Sequence, residues 1–439
     1  MSGIFCGSQR RAILCFPIVE SRRTQIPTGL YKVASWCAQR YDIAIIDQRL
    51  AGNDNLEGLA SIIARENPIC LGLSVITGEQ VTAAARISER FHDAVPIVWG
   101  GPHPTLFPAE TLDTGLVDFV VAGEGEQAFL DLLDHLTGKP REQVGFAGQR
   151  NGDFGYHVFA GFADVVDAYW GRADMPADYL VKRDGFERAV SLETSRGCPH
   201  KCGFCHNATR SASYRAKPAN VVAASIQSAF DAVRMDGVVF QEDNFFANKQ
   251  RAIEIVRFLM TFDTVGWKAN ARINYLARYI EDKDFMRNLV ESGCAVLQFG
   301  VESGSQRLLE AIDKGICVEQ VLAVNRGLAA YPIRVRYNFI VGFPDETDSD
   351  CDATLSLIGQ LQAENPRVEP PFVNTYSPYP GTPLYARAIE LGLREPRDVN
   401  DWATLTWCST EQLPWLSPER KRRLRRLSER FFAGSHYLQ

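Results

Sequence analysis

Apolar and polar positions along this chain alternate on two periods, one of strand length and one of helix length. The β-branched run RAILCF (Arg11–Phe16) predicts a strand, and LYKVASWCAQR (Leu30–Arg40) predicts a helix. The alternation continues through YDIAIIDQ, a helix around Ile62–Ala64, ICLGLSVIT, a helix over Gly78–Phe91, PIVWGG and DFVVAGEGE. Runs rich in Ile and Val on both faces, separated by helices, predict an α/β fold with a doubly wound parallel sheet over residues 1–137. Such sheets bind ligands at the carboxyl ends of their strands. Those ends here are small or turn-prone: Ser74, Thr77, Gly100, Gly101, Gly123 and Gly125.

Residues 138–186 are less periodic and carry TGKPREQ, RNGD and GRADMPADY, which predicts a linker. A second β/α series runs over 187–400: AVSLETS, GVVFQ, KANARI, AVLQFG, RVRYNFIV and FVNTYS. Helical patterns such as PANVVAASIQSAFDAV and VEQVLAVNRGLAAY separate these runs. Six strands alternating with helices predict a partial (β/α)6 barrel, with its chemistry at the carboxyl ends of the strands. The tail, 401–439, holds SPERKRRLRRLSERFF. Ser417 as N-cap, Pro418 in the first turn and Glu419 after it mark a helix start. Leu424, Leu427 and Phe431 form its apolar stripe and arginines its other face. The predicted state is a docked terminal helix with a solvated basic side.

Composition narrows the classes. The chain has 439 residues, 46% hydrophobic content and a formal net charge of −6, which argues against a nucleic-acid partner. No run approaches a signal peptide or a membrane span, so the expected location is the cytoplasm, without a membrane partner. Of the 11 cysteines, eight (Cys6, Cys15, Cys37, Cys70, Cys294, Cys317, Cys351 and Cys408) are scattered singly, as reduced small hydrophobes are.

The other three stand together in SRGCPHKCGFCHNATR (Ser195–Arg210), where Cys198, Cys202 and Cys205 are spaced C-x3-C-x2-C. Thiolates select soft metals and iron–sulfur clusters. A cubane cluster held by three cysteines leaves one iron open for a substrate, and Gly197 and Gly203 ease the loop around it. A zinc site would need a fourth ligand, for which His200 or His206 would serve.

The loop follows a strand that opens a β/α barrel, and its surroundings resemble the radical S-adenosylmethionine (SAM) superfamily. FGVESGSQRLLEAIDKG (Phe299–Gly315), FIVGFPDET (Phe339–Thr347) and YSPYPGTPLY (Tyr376–Tyr385) are similar to stations of one subgroup. That subgroup carries an N-terminal cobalamin-binding-type Rossmann domain. VWGGPHPTLFPAE (Val98–Glu110) and VDFVVAGEGEQAF (Val117–Phe129) resemble its later strands. The resemblance implies that Cys198, Cys202 and Cys205 hold a [4Fe–4S] cluster whose open iron chelates SAM. Reductive cleavage of SAM would then give methionine and a 5′-deoxyadenosyl radical. An external donor such as flavodoxin or ferredoxin would supply the electron.

Individual roles follow at the barrel top. Glu302 ends a strand, where its carboxylate can accept hydrogen bonds from ribose hydroxyls. Arg272, in NARIN, can pair with the SAM carboxylate, or form a barrel-top ion pair instead. Asp243 or its neighbour Glu242 would meet the SAM ammonium group. Phe204 could pack on adenine, with Val341 and Gly342 letting the backbone approach it; all three could equally be core. Glu193 and His206 are the candidate catalytic residues. Binding of cobalamin itself stays open, because PIVESRRTQIPTG lacks the D-x-H-x-x-G that supplies a histidine below cobalt. His103, in GGPHPT, reads as a turn histidine. The short tail suits a small substrate and is similar to that of the radical SAM diol-dehydratases of aminoglycoside biosynthesis, as in the apramycin pathway. The expected reaction is therefore radical dehydration of an aminosugar diol, with cobalamin-dependent C-methylation of a natural product as the alternative.

Overall fold

The computed structural model describes residues 11–18, 25–50, 55–139, 147–148, 156–209, 213–405 and 410–433. Cys6 and Cys408 lie outside the described residues. The chain divides into two units, Met1–Gly161 with Pro396–Leu405, and Phe162–Glu395 with Thr406–Gln439.

In the first unit, β1 (Arg11–Phe16), α1 (Thr28–Cys37), β2 (Asp42–Asp47), α2 (Leu56–Glu66), β3 (Leu71–Ser74), α3 (Glu79–Phe91) and β4 (Ile97–Gly100) alternate as the apolar periods predict. Short helices α4 (Pro102–Leu106) and α5 (Pro108–Asp113) lead to β5 (Phe119–Val121), α6 (Gly125–Leu136) and β6 (Ala147–Gly148). The strand order is β2-β1-β3-β4-β5-β6, with the first five parallel and β6 antiparallel. This is the expected doubly wound sheet. β6 is an addition, since two residues carry no readable period. Alternate residues of β1 feed two cores. Ile13 and Cys15 pack with Leu71, Leu73, Ile97 and Trp99 on one face. Ala12, Leu14 and Phe16 pack with Leu30, Ala34 and Phe129 on the other. A parallel sheet between helical layers requires this double burial.

The second unit opens with β7 (Val181–Arg183), β8 (Phe186–Leu192) and the two-residue strands β9 (Ser195–Arg196) and β10 (Arg215–Ala216). Then follow α7 (Ala219–Val233), β11 (Gly237–Phe240), α8 (Lys249–Leu259), β12 (Gly266–Ala271), α9 (Ile273–Leu276), α10 (Lys283–Glu291) and β13 (Cys294–Glu302). The series continues through α11 (Gln306–Ala311), α12 (Val318–Leu328), β14 (Arg334–Val341), α13 (Asp348–Glu364), β15 (Phe372–Thr375) and α14 (Pro383–Glu390). After α15 (Val399–Ala403), which belongs to the first unit and seats Trp402 in its core, α16 (Pro418–Ala433) ends the described chain. β8, β11, β12, β13, β14 and β15 are parallel neighbours in chain order, and β7 runs antiparallel to β8 at the edge. The six parallel strands are the expected partial barrel.

Two features of this unit go beyond the periodic pattern. The stretch read as linker is partly a brace: Tyr169 Oη and Trp170 Nε1 both donate to the Ser191 carbonyl of β8, at 2.9 and 3.3 Å. At the barrel's amino end, the β7–β8 turn places the Asp184 carboxylate against Arg336 Nη1 at 2.9 Å and Lys268 Nζ at 3.5 Å. The tail helix begins as expected, with Ser417 Oγ accepting from Arg420 N at 3.2 Å, and Leu424 is buried. Its arginines are not left to solvent alone: Arg420 and Arg423 pair with Asp348, and Arg425 with Glu411. Among the described residues, no helix is long and apolar enough to cross a membrane.

Candidate active site

The cysteine loop leaves the carboxyl end of β8 and is closed at its neck by the antiparallel pairing of β9 with β10. Within it, Cys205 N donates to the Cys202 carbonyl at 3.0 Å. Gly203 is held from both sides: its N–H donates to the Ile312 carbonyl at 2.8 Å, and its carbonyl accepts from Leu384 N at 3.0 Å. Gly197 has φ 76°, the left-handed region that glycine enters without strain. Burial raises the Cys198 thiol and pushes the Cys205 thiol up to about 11. As thiolates they would need positive charge close by, which bound iron provides. Arg272 provides some already, with Nη1 donating to Cys202 Sγ at 3.3 Å. Among the described residues, no three His, Cys, Asp or Glu side chains are grouped to hold a metal ion. A cubane cluster asks for something else, since its thiolates sit on different irons. His200, a candidate zinc ligand, stacks edge-on to Tyr275 at 5.7 Å. Burial, with Arg272 and Lys314 nearby, lowers its pKa to about 4.

The other motif residues gather at the carboxyl ends of the strands. Glu302, last in β13, accepts from Lys314 Nζ at 2.6 Å. Arg272, just after β12, donates to the Lys314 carbonyl as well as to Cys202. Phe204 lies edge-on to Phe343 at 5.7 Å, and Lys314 Nζ is 5.6 Å from its ring centre. The structure separates the two carboxylates after β11. Glu242 is enclosed: it accepts from Thr194 Oγ1 at 2.6 Å, with Arg251 Nη1 at 3.8 Å, and burial raises its pKa. Asp243 is exposed and accepts from Asn207 Nδ2 of the cysteine loop at 2.7 Å. Glu193 pairs with Arg196 at 3.0 Å, and His206 lies edge-on to Tyr379 at 6.2 Å.

Val341 is buried, and Gly342 turns with φ 84°. The backbone groups of Gly342 are both engaged: its N–H donates to Glu346 Oε2 at 2.6 Å, and its carbonyl accepts from Trp415 Nε1 at 3.1 Å. A side chain there would press on Leu413, Leu416 and Leu424. Gly342 therefore seats the tail of the chain, a role that the local motif does not reveal. Lys314 and Glu346 are the residues that motif reading missed. Each lies inside a recognised run, yet only the fold shows what it touches.

A donor set for a polar ligand is visible at this end. Both side-chain polar atoms of Asn244, Thr375 Oγ1 and Ser377 Oγ are buried without a hydrogen-bond partner. Asn244 follows β11, Thr375 ends β15 and Ser377 follows it, all at the carboxyl edge. Orphaned buried polar atoms of this kind ordinarily mark a bound ligand, ion or water. The edge thus fits a polar cosubstrate beside the cysteine loop.

The carboxyl edge of the first unit's sheet is furnished differently. Between β1 and β3, where the strand order reverses, Gln80 Nε2 donates to the Pro17 carbonyl at 2.9 Å and Gln80 Oε1 accepts from Ile76 N at 2.7 Å. This clamp presents Ile18 and Ile76, 41% and 45% exposed, at neighbouring strand ends. Gly101 (φ 95°) lets the chain after β4 pass the end of β3, since a Cβ there would lie 3.1 Å from Val75 N. At Gly123 the freed space is taken by the backbone of His157. His103 is a packed residue: it is fully buried against Phe107 and Trp402, and burial lowers its pKa to about 3. Among the described residues, this edge presents exposed apolar side chains and backbone, a surface suited to a large apolar-faced ligand.

Comparison with known proteins agrees with both halves. Residues 192–358 match the radical SAM superfamily, and residues 18–133 match the B12 binding domain. The chain is 30% identical over 398 residues to an uncharacterized methyltransferase of Pyrococcus horikoshii, covering 86% of this chain and 83% of that protein. It is 21% identical over 380 residues to the bacteriochlorophyllide d C-12(1)-methyltransferase of Chlorobaculum tepidum, covering 84% and 75% of the two chains. Its fold is similar to that of the radical SAM methyltransferase TsrM of Kitasatospora setae, with a TM-score of 0.73 at 16% identity over 88% of this chain and 79% of that one. These relatives correct the expected reaction. Dehydration of an aminosugar diol rested on a short tail and the missing D-x-H-x-x-G, whereas these two relatives, similar to this chain over more than four fifths of its length, are named methyltransferases. Tail length follows how the barrel is covered and does not report the bond that is made. By its motifs, its two matched domains and its relatives, the chain belongs to the radical SAM superfamily of [4Fe–4S] and SAM enzymes, in the group that carries a B12-binding domain ahead of the barrel.

Proposed function

We propose that this protein is a cobalamin-dependent radical SAM methyltransferase that places a methyl group on a carbon of a small organic molecule. The observation that carries this reading is the 30% identity to a protein named an uncharacterized methyltransferase, along 83% of that protein and across both domains. When bound, the cluster, SAM and cobalamin together supply reductive cleavage of the sulfonium and a transferable methyl group.

The chain's own residues would serve as follows. Cys198, Cys202 and Cys205 hold the cluster. Arg272 orients the SAM carboxylate, exposed Asp243 receives the ammonium group, and Glu302 receives the ribose hydroxyls. Phe204 and Val341 border the adenine. Glu193 and His206, flanking the cysteines of the loop, would be candidates to move a substrate proton. Ile18 and Ile76 would border cobalamin at the carboxyl edge of the first sheet, and His103, packed against Phe107 and Trp402, would not serve as a ligand to it. An external flavodoxin or ferredoxin delivers the electrons. The relative acting on bacteriochlorophyllide d supports a small-molecule substrate.

Anaerobic reconstitution with iron, sulfide and cobalamin tests the reading. The full chain should retain cobalamin through gel filtration. With SAM, reductant and substrate it should yield methylated product with S-adenosylhomocysteine, only when cobalamin is present. A chain that retains no cobalamin and turns over equally well without it would overturn the proposal.

A further inference from the structure

Lys314 has no role in the motif-based assignment, yet it touches three elements argued to hold SAM. Its ammonium donates to Glu302 Oε1 at 2.6 Å and faces the Phe204 ring at 5.6 Å. Its carbonyl accepts from Arg272 Nη2. Two residues earlier, the Ile312 carbonyl accepts from Gly203 N of the cysteine loop at 2.8 Å. The turn 312–314 therefore joins the cysteine loop, the end of β12 and the end of β13.

Three features hold the Glu302 carboxylate in one place. First, Glu302 has φ 72°, a backbone region that side chains other than glycine rarely occupy. Second, the β13–β14 register shifts between Gly300 and Glu302, and a bulge of this kind re-aims the side chain beyond it. Third, Gly300 has no Cβ where one would overlap Glu302 Oε1 and lie 3.2 Å from Lys314 Nζ. The glycine is the seat of the ion pair. Lys314, Arg272 and Glu302 are 5%, 6% and 7% exposed. A buried lysine is costly unless it is paired and hydrogen-bonded, and its carboxylate partner is likewise committed. With Oε1 fixed by the ammonium, Oε2 is the oxygen left to meet a diol.

We infer that Lys314 is a positioning residue for SAM: it fixes the Glu302 carboxylate for the ribose and ties Arg272 to the same turn. This rests on the proposed SAM site, with Glu302 as its ribose acceptor. Removing the ammonium would let the carboxylate rotate off Gly300 and meet water.

The test uses the full chain, reconstituted anaerobically and assayed for 5′-deoxyadenosine formation against SAM concentration. Lys314→Met should keep the parent's iron content and cluster absorbance. It should raise KM for SAM roughly tenfold or more, the loss of one charge-assisted contact, and leave kcat within about threefold. Lys314→Arg, which keeps the charge, should restore KM to within about threefold of the parent. Gly300→Ala keeps both partners but denies them their seat, and should raise KM as Lys314→Met does. A parent-like KM in Lys314→Met overturns the inference, as does equal impairment of the Met and Arg variants. If Lys314→Met does not fold, Gly300→Ala decides, and a parent-like KM there overturns it. Glu302→Gln separates the two claims. A parent-like KM in that variant removes the ribose role itself, whereas a raised KM there beside a parent-like Lys314→Met removes only the role of the lysine.

Discussion

The two ends of the half-barrel use the same kinds of side chain and reach opposite states. At the amino end, Asp184 faces Arg336 at 2.9 Å, Arg183 at 3.2 Å and Lys268 at 3.5 Å, and Arg336 Nε also donates to Glu369 at 2.8 Å. The charges there saturate one another. At the carboxyl end, polar atoms of Asn244, Thr375 and Ser377 are buried without partners, and so is one oxygen each of Glu242 and Glu346. A buried polar atom left unpaired costs about 1–3 kcal/mol, so a fold keeps several of them together only where something else completes them. One end is a finished plug and the other an unfinished receptor. Charge alone therefore does not mark a site; orphaned polar atoms beside the cysteine loop point to one.

Substitutions at the two ends should separate stability from chemistry. The largest effect is expected in the cysteine loop. Alanine at Cys198, Cys202 or Cys205 should abolish iron–sulfur absorbance and SAM cleavage together. A variant forming 5′-deoxyadenosine at the parental rate would remove that residue from the cluster. At the plug, Asp184→Ala leaves Arg336 and Lys268 without their shared carboxylate, which should cost about 3–5 kcal/mol in urea unfolding. Its KM for SAM should stay parental in the folded fraction. A raised KM with little loss of stability would erase the contrast between the ends.

Glu346 gives the comparison a pH axis. Burial raises its pKa to about 7 from the usual 4.5, against the opposing pull of the Gly342 N–H and Arg420. The folded chain holds this proton more tightly than the unfolded chain. The stabilising contribution is therefore complete below about pH 4.5 and is lost as pH rises through 7, on the order of 3 kcal/mol. Glu346→Gln should flatten that stretch of the stability profile, and an unchanged profile would show that the carboxylate is not its source. Arg272→Ala and Glu302→Ala should each weaken SAM binding by about 1.5–3 kcal/mol with the cluster retained. Parental affinity in both would return these side chains to a purely structural role. The smallest effect is expected on α16, where Arg425 pairs with Glu411 of the preceding segment and both are largely exposed. Arg425→Ala should change stability by less than about 1 kcal/mol, and a larger loss would mean that this pair helps to hold the tail over Gly342.

The chain alone determined the two α/β series, the helix start at Ser417–Glu419 and the cysteine loop, because each is written in residues a few positions apart. The continuous apolar run of β1 and the C-x3-C-x2-C spacing need no distant partner to be read. Tertiary structure decided the rest. Arg336 meets Asp184 across 152 positions, and Trp415 meets Gly342 across 73. Trp402, read as tail, belongs to the core of the first unit. The neighbouring carboxylates Glu242 and Asp243 are equivalent in the sequence, and only the fold buries one against Thr194 and exposes the other. Lys314 lies 12 positions from Glu302, yet a bulge and a glycine bring their charges together. A short-range pattern encodes how a segment folds. Which charges share one buried place depends on chain crossings that no local period records.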